Sequence, residues 1–195
     1  MRIPLTVMAA AAVVTTLAGV SAAGCSSHSN PSSAPTSSAG STTHPPVSDY
    51  TKLLIKASDI KAPDAFTAGP TTKDPNGQLG ATTTFTDQDQ SHVIIDTIQI
   101  LLNPEAAANQ LDSAKAIHHE SLLAKPLGAD VGVGGVTISG LSPDRSKGVT
   151  VLLFTEGKAL VTLEFDGPSF ALAPSDFVTE VGQKQDEAIK KGLGG

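Results

Sequence analysis

The chain has no tryptophan, a single tyrosine (Tyr50) and aromatic side chains at only 4% of its 195 positions. Carbohydrate and single-stranded nucleic-acid sites use aromatic platforms for stacking, so this composition argues against both. There is one cysteine, Cys25. No disulfide can form within the chain, and stability has to come from its core. Positive charge is also scarce: 13 Lys and Arg stand against 19 Asp and Glu, a net charge of −6. Charge alone does not draw such a chain to nucleic acid or anionic lipid. Motifs for chemistry are equally thin. Gly132-Val133-Gly134-Gly135 is not followed by Lys-Ser/Thr or a helix start, as a phosphate loop requires. Thr137-Ile138-Ser139-Gly140 lacks the preceding glycine of a nucleophile elbow, which leaves His92, His118 and His119 without a serine to activate. The expectation is a protein that is not an enzyme and holds neither cofactor nor metal.

What the chain does have begins at its N-terminus. Arg2 is followed by an apolar stretch over residues 3–20 and then by Ser21-Ala22-Ala23-Gly24-Cys25. A charged start, an apolar run and small residues before a cut site make a secretory signal. Thr15, Thr16 and Ser21 interrupt the run, which makes it marginal for a spanning helix of about 20 apolar residues. The segment resembles the bacterial lipoprotein type of signal, in which a small residue precedes an obligatory cysteine. Ala22 stands three places before the cysteine, where that type usually has Leu or another aliphatic residue. The resemblance implies that residues 1–24 are removed and that Cys25 becomes the lipidated first residue, carrying a diacylglyceryl thioether. An ordinary secretory peptide cut near Ala23 and an uncleaved anchor are the alternatives. One acyl chain binds a bilayer only reversibly, whereas two or three hold a protein there for long times.

Residues 25–48 read as a tether. Ser, Thr, Pro and Gly dominate it, and such a composition buries too little to offset ordering entropy. A flexible chain of that length spans about 25–30 Å on average. Asn30-Pro31-Ser32 is no N-glycosylation acceptor, because proline occupies its middle position.

Residues 49–195 have the composition and size of one globular domain. Ser48, Asp49, Leu53, Leu54 and Ala57 predict a short first helix. A Thr-rich strand is expected at 81–86 and the strongest β signal at 92–102, with Ile94, Ile98, Ile100 and Leu102 on one face. Asn103-Pro104-Glu105 starts a helix that runs to about Leu123, with a stripe of Ala107, Leu111, Ala114 and His118. Residues 131–140 predict a strand with a bulge at its glycines. Strands at 149–155 and 159–165 and a helix at 174–191, closed by Gly192, complete the chain. The order is α-β-β-α-β-β-β-α. Hairpin connections dominate, so the fold class is α+β, a mainly antiparallel sheet of about five strands with helices packed on it.

His118-His119-Glu120 attracts attention as a metal site. Adjacent helical residues point about 100° apart, so these histidines do not converge as an i, i+4 pair would. One is expected beside the apolar stripe and the other in solvent. Asp59, Asp64, Asp87, Asp89 and Asp96 are scattered acids. Asp87-Gln88-Asp89 lacks the glycine and distant Glu of a calcium loop and reads as a solvated hairpin tip. Asp96 lies in an Ile-rich strand, where a buried acid is costly unless bonded. A hydrogen bond to a loop backbone is expected for it.

Ala23-Gly24-Cys25-Ser26-Ser27, the Ser/Thr/Pro tether and a compact Ala/Gly/Thr/Val-rich domain together resemble the small actinobacterial, mycobacterial-type cell-envelope lipoproteins. Some members of that group carry a PsbP-like α/β domain with a central antiparallel sheet. The resemblance implies a non-enzymatic binding or accessory factor on the outer face of the cell membrane. Its partners would be the membrane, through acylated Cys25, and an envelope protein or a lipid ligand, with no nucleic acid. The alternatives are a carrier of lipid or glycolipid and, third, a hydrolytic enzyme. An apolar cavity of several hundred Å3 would favour the carrier. An exposed apolar patch on a filled core would favour a protein partner, and a convergent polar cleft an enzyme.

Overall fold

The computed structural model describes residues 49–194. The expected signal, Cys25 and the expected tether lie outside them. The described residues form one eight-stranded sheet in which every pairing is antiparallel. Its strands are β1 (Thr67–Ala68), β2 (Thr72–Lys73), β3 (Gly80–Thr86), β4 (Val93–Ile100), β5 (Leu127–Gly128), β6 (Val133–Leu141), β7 (Lys147–Glu156) and β8 (Ala159–Pro168). Two helices accompany them, α1 (Pro104–Leu122) between β4 and β5 and α2 (Ser175–Leu193) after β8. The spatial order is β1-β3-β4-β8-β7-β6-β5, with β2 also paired to β3. The α+β class is as expected. The strand count is eight rather than five because β1, β2 and β5 are two-residue pairings too short to leave a periodic signal.

Alternation along β7 explains the two-layer core. Leu152 and Phe154 face a cluster shared with Val178, Val181 and Ile189 of α2. Val149, Val151 and Leu153 face a second cluster with Leu111, Ala114 and Leu122 of α1. The near-continuous apolar run of β7 is therefore buried on both faces, at about 1.5–3 kcal/mol per large side chain. In β4 only the α2 face is sealed. Ile94, Ile98 and Ile100 are buried there, while Val93, Ile95, Thr97 and Gln99 stay half-buried on the other face. That half-open face follows from α1, which packs chiefly on β6, β7 and β8.

Several boundaries depart from the sequence reading. The first helix is a 3-10 turn, Tyr50–Leu53, capped by Asp49, whose Oδ1 accepts the Thr51 N–H at 3.2 Å. Leu53, Leu54 and Ile55 are all buried. An α-helix would spread three successive residues around its circumference, so the chain goes extended at Leu54 instead. Gln185 of α2 holds this strap: its Oε1 accepts the Ile55 N–H at 3.0 Å and its Nε2 donates to Leu53 O at 2.7 Å. Leu102 is 89% exposed rather than inward, because β4 ends at Ile100 and the chain turns into the α1 cap. There Asn103 Oδ1 accepts the Ala106 N–H at 2.8 Å. Helix α2 runs to Leu193, and Gly194, not Gly192, closes it in a left-handed conformation. The bulge in β6 is present, as a register shift between Val133 and Val136 with Gly134 at φ +67°.

Candidate functional site

At one end of the sheet five segments surround a cleft of about 580 Å3. They are residues 61–66, the β3–β4 hairpin, the end of β8, the loop 171–174 and the first turns of α2. Its floor is aromatic and aliphatic: Phe66, Ile94, Phe165 and Phe177. Phe165 and Phe177 meet edge to face, with ring centroids 5.8 Å apart and planes at 72°. Three of the chain's six phenylalanines therefore converge on one place.

The hairpin forms the polar wall. Asp87 is buried; its two carboxylate oxygens each accept the His92 N–H at 3.1 Å, and Oδ2 also accepts the Ser91 hydroxyl at 3.1 Å. His92 Nδ1 lies 2.8 Å from the same oxygen. A carboxylate accepts only, so that nitrogen carries the hydrogen and Nε2 is left free. Burial pushes the Asp87 carboxyl up, but the His92 amide, the His92 ring and the Ser91 hydroxyl outweigh it and hold the group below its ordinary value. Asp87 is thus an internal brace rather than the solvated residue expected, while Gln88, Asp89 and Gln90 are exposed. The His92 ring packs close to Gly167, where a Cβ would lie 3.2 Å from His92 Cδ2.

Ser91, His92 and Asp87 have the residue types of a hydrolytic triad without its geometry. The Ser91 hydroxyl is 2.9 Å from His92 Nδ1, the same nitrogen that faces Asp87. In a working triad serine and acid occupy opposite ring nitrogens. The rim is completed by Lys61 and Glu180, paired at 3.1 Å, and by the exposed carboxylates of Asp64 and Asp176.

A second cleft, of about 430 Å3, lies between the end of α1, the β6–β7 turn and β8. His118, Asp144, Lys147, Glu164 and Asp166 line it. Lys147 Nζ donates to Asp166 Oδ2 at 2.7 Å, which raises the lysine, while Asp166 Oδ1 is buried without a partner. Burial and then the adjacent Asp166 charge raise Glu164, and Lys147 opposes them. Burial lowers His118. The Ser142 hydroxyl, followed by the Ser146 amide and hydroxyl, draws Asp144 down to about 2. Sequence reading missed this grouping. Its only trace was Glu164 and Asp166 two residues apart on a strand, hence on one face.

The remaining candidates are dispersed. His119 is exposed and its Nδ1 lies 2.7 Å from Ala124 O, so the two histidines diverge as expected. No group of three metal-ligating side chains occurs among the described residues. Ser139 sits within β6 opposite Thr150. Asp59 Oδ2 accepts the Lys56 N–H at 2.9 Å. Asp96 is fully buried on the α2 face of β4, between Thr83 and Leu163. The hydrogen bond expected for it is missing: neither carboxylate oxygen has a partner. Burial pushes the Asp96 carboxyl up to about 8, opposed only in part by the nearby Ile55 N–H, whose hydrogen goes to Gln185. Cys25 lies outside the described residues.

These features define an antiparallel α+β domain with helices on both faces of its sheet and an aromatic-floored cleft at one end. No protein-family model matches the chain, and no curated protein matches it. Its fold is similar to that of the extracellular domain of PknH from Mycobacterium tuberculosis, with a TM-score of 0.53 and 10% identity, over 75% of this chain and 95% of that one. At that identity the likeness extends to the fold alone.

Proposed function

We propose that this protein is a lipid-anchored cell-envelope lipoprotein whose domain works outside the membrane as a non-enzymatic binding factor for a small amphiphilic ligand. The cleft of about 580 Å3 with Phe66, Phe165 and Phe177 on its floor and polar groups at its rim carries this reading, because apolar concavities with few polar groups are the usual form of a ligand site. The signal-like segment ending at Cys25 supports the anchor. The fold shared with an extracellular domain supports the location. A PsbP-like relation rests on the sequence pattern alone.

The cleft opens to solvent, which favours a binder that holds part of its ligand at the surface over a carrier that encloses a whole lipid. A hydrolytic reading draws on the second cleft. There, however, Ser142 and Ser146 donate their hydroxyls to Asp144 and not to a histidine, so they lack the base a nucleophile needs. Intact mass spectrometry of the chain extracted from membranes tests the proposal. The expected result is a mass starting at acylated Cys25, with a stoichiometric amphiphile beside it under mild detergent. An unacylated chain would overturn the anchor, and an acylated chain that neither carries nor takes up amphiphiles would overturn the binding role.

A further inference from the structure

Charge at the first cleft narrows the ligand class, on the reading that this cleft is the binding site. Four carboxylates face it, Asp64, Asp87, Asp176 and Glu180, against Lys61 and His92; Asp166 also borders it, but its carboxylate is held by Lys147 in the second cleft. Two of the four have partners: Glu180 with Lys61, and Asp87 with His92. Asp64 and Asp176 are exposed and have no ion-pair partner among the described residues. The amino end of α2, which also borders the cleft, has no side-chain cap and carries a partial positive charge, but Asp176 in its first turn offsets that. The lip is therefore net negative above an aromatic floor. The apolar floor suits an alkyl chain, and carboxylates at its edge attract a cation.

We infer that the cleft selects an amphiphile with a cationic head, a primary or quaternary alkylammonium, whose alkyl part lies on Phe66, Phe165 and Phe177 while the ammonium sits at the lip formed by Asp64 and Asp176. Anionic heads, phosphate or sulfate, are disfavoured by the same charges.

Three probes with one alkyl chain and different heads test this: hexyltrimethylammonium, hexyl glucoside and hexyl sulfate. Each is titrated into the full acylated chain in phosphatidylcholine nanodiscs, with empty nanodiscs as blank, and read by saturation-transfer NMR. The ammonium probe is expected to bind about ten-fold more tightly than the sulfate, with the glucoside between them, and added salt narrows the spread. The double variant Asp64→Asn/Asp176→Asn changes exposed residues outside the core. It should bring the three probes to similar affinity. Equal or tighter binding of the sulfate, or an unchanged ratio in the double variant, would overturn the cationic-head inference while leaving the cleft as a binding site. If none of the probes binds, or if Phe177→Ala leaves their binding unchanged, the cleft reading itself falls and this inference with it.

Discussion

Replacing Asp96 by Asn keeps the side-chain shape and removes the ionisation. The native carboxyl sits fully buried with both oxygens unpaired, and its affinity for the proton is raised from 3.8 to about 8. Between those values the folded chain holds a proton that the unfolded chain releases. Stability therefore falls as pH rises through that window, at about 1.36 kcal/mol per pH unit. From pH 4 to pH 7 the native chain should lose about 4 kcal/mol through this one group, a large part of a stability of 5–15 kcal/mol. The Asn variant is neutral throughout and escapes that loss. Its unpaired amide costs about 1–3 kcal/mol, but equally at every pH. The diagnostic quantity is therefore the slope of the difference, not its absolute size. Urea unfolding of both chains at half-unit steps from pH 4.5 to 9.5 measures it. The variant should gain on the native chain steadily with pH and level off above about 8. Parallel stability profiles would refute the argument and mean that Asp96 is solvated or bonded in solution.

Three further predictions concern other polar groups. Gln185→Leu removes both bonds to the Leu53–Ile55 strap and strands a buried N–H and C=O; a loss of about 2–5 kcal/mol is expected, and hydrogen exchange at Ile55 should speed up, whereas unchanged protection would show that the strap is held by packing alone. Asp87→Asn removes the carboxylate that braces the β3–β4 hairpin. Because the Asp87 carboxyl is held below its ordinary value, its stabilising effect is full above that value and lost as pH falls through the folded one; the acid-side slope in the native chain should flatten in the variant. Asp166→Asn removes the neighbouring charge that helps raise Glu164, so carboxyl-detected NMR should find Glu164 titrating at lower pH than in the native chain.

Much of the fold was legible in the residues because it is local. The cap at Asn103 and Pro104 opens α1 where expected, and the alternation at 159–165 marks β8. The glycines near 134 mark the bulge. The errors occur where a partner met only in the folded chain overrides a local preference. Leu53, Leu54 and Ile55 leave the helix to reach the core beneath Gln185. Asp87 turns inward because the His92 amide and ring meet it. The candidate site was the least legible part. Phe66, Phe165 and Phe177 lie on a loop, a strand and a helix, the first remote from the other two along the chain, and none carries a motif.

The amino-acid sequence by itself determined the five long strands, the two long helices and their order. These depend on side-chain period, capping and turn chemistry, which act over a few residues. Only the tertiary structure decided that β8 inserts between β4 and β7, that Asp96 is enclosed without a partner, and that three phenylalanines and a rim of carboxylates share one cleft. Periodicity says which way a side chain points, but what it meets there is set by the pairing of distant strands and the packing of both helices on the sheet.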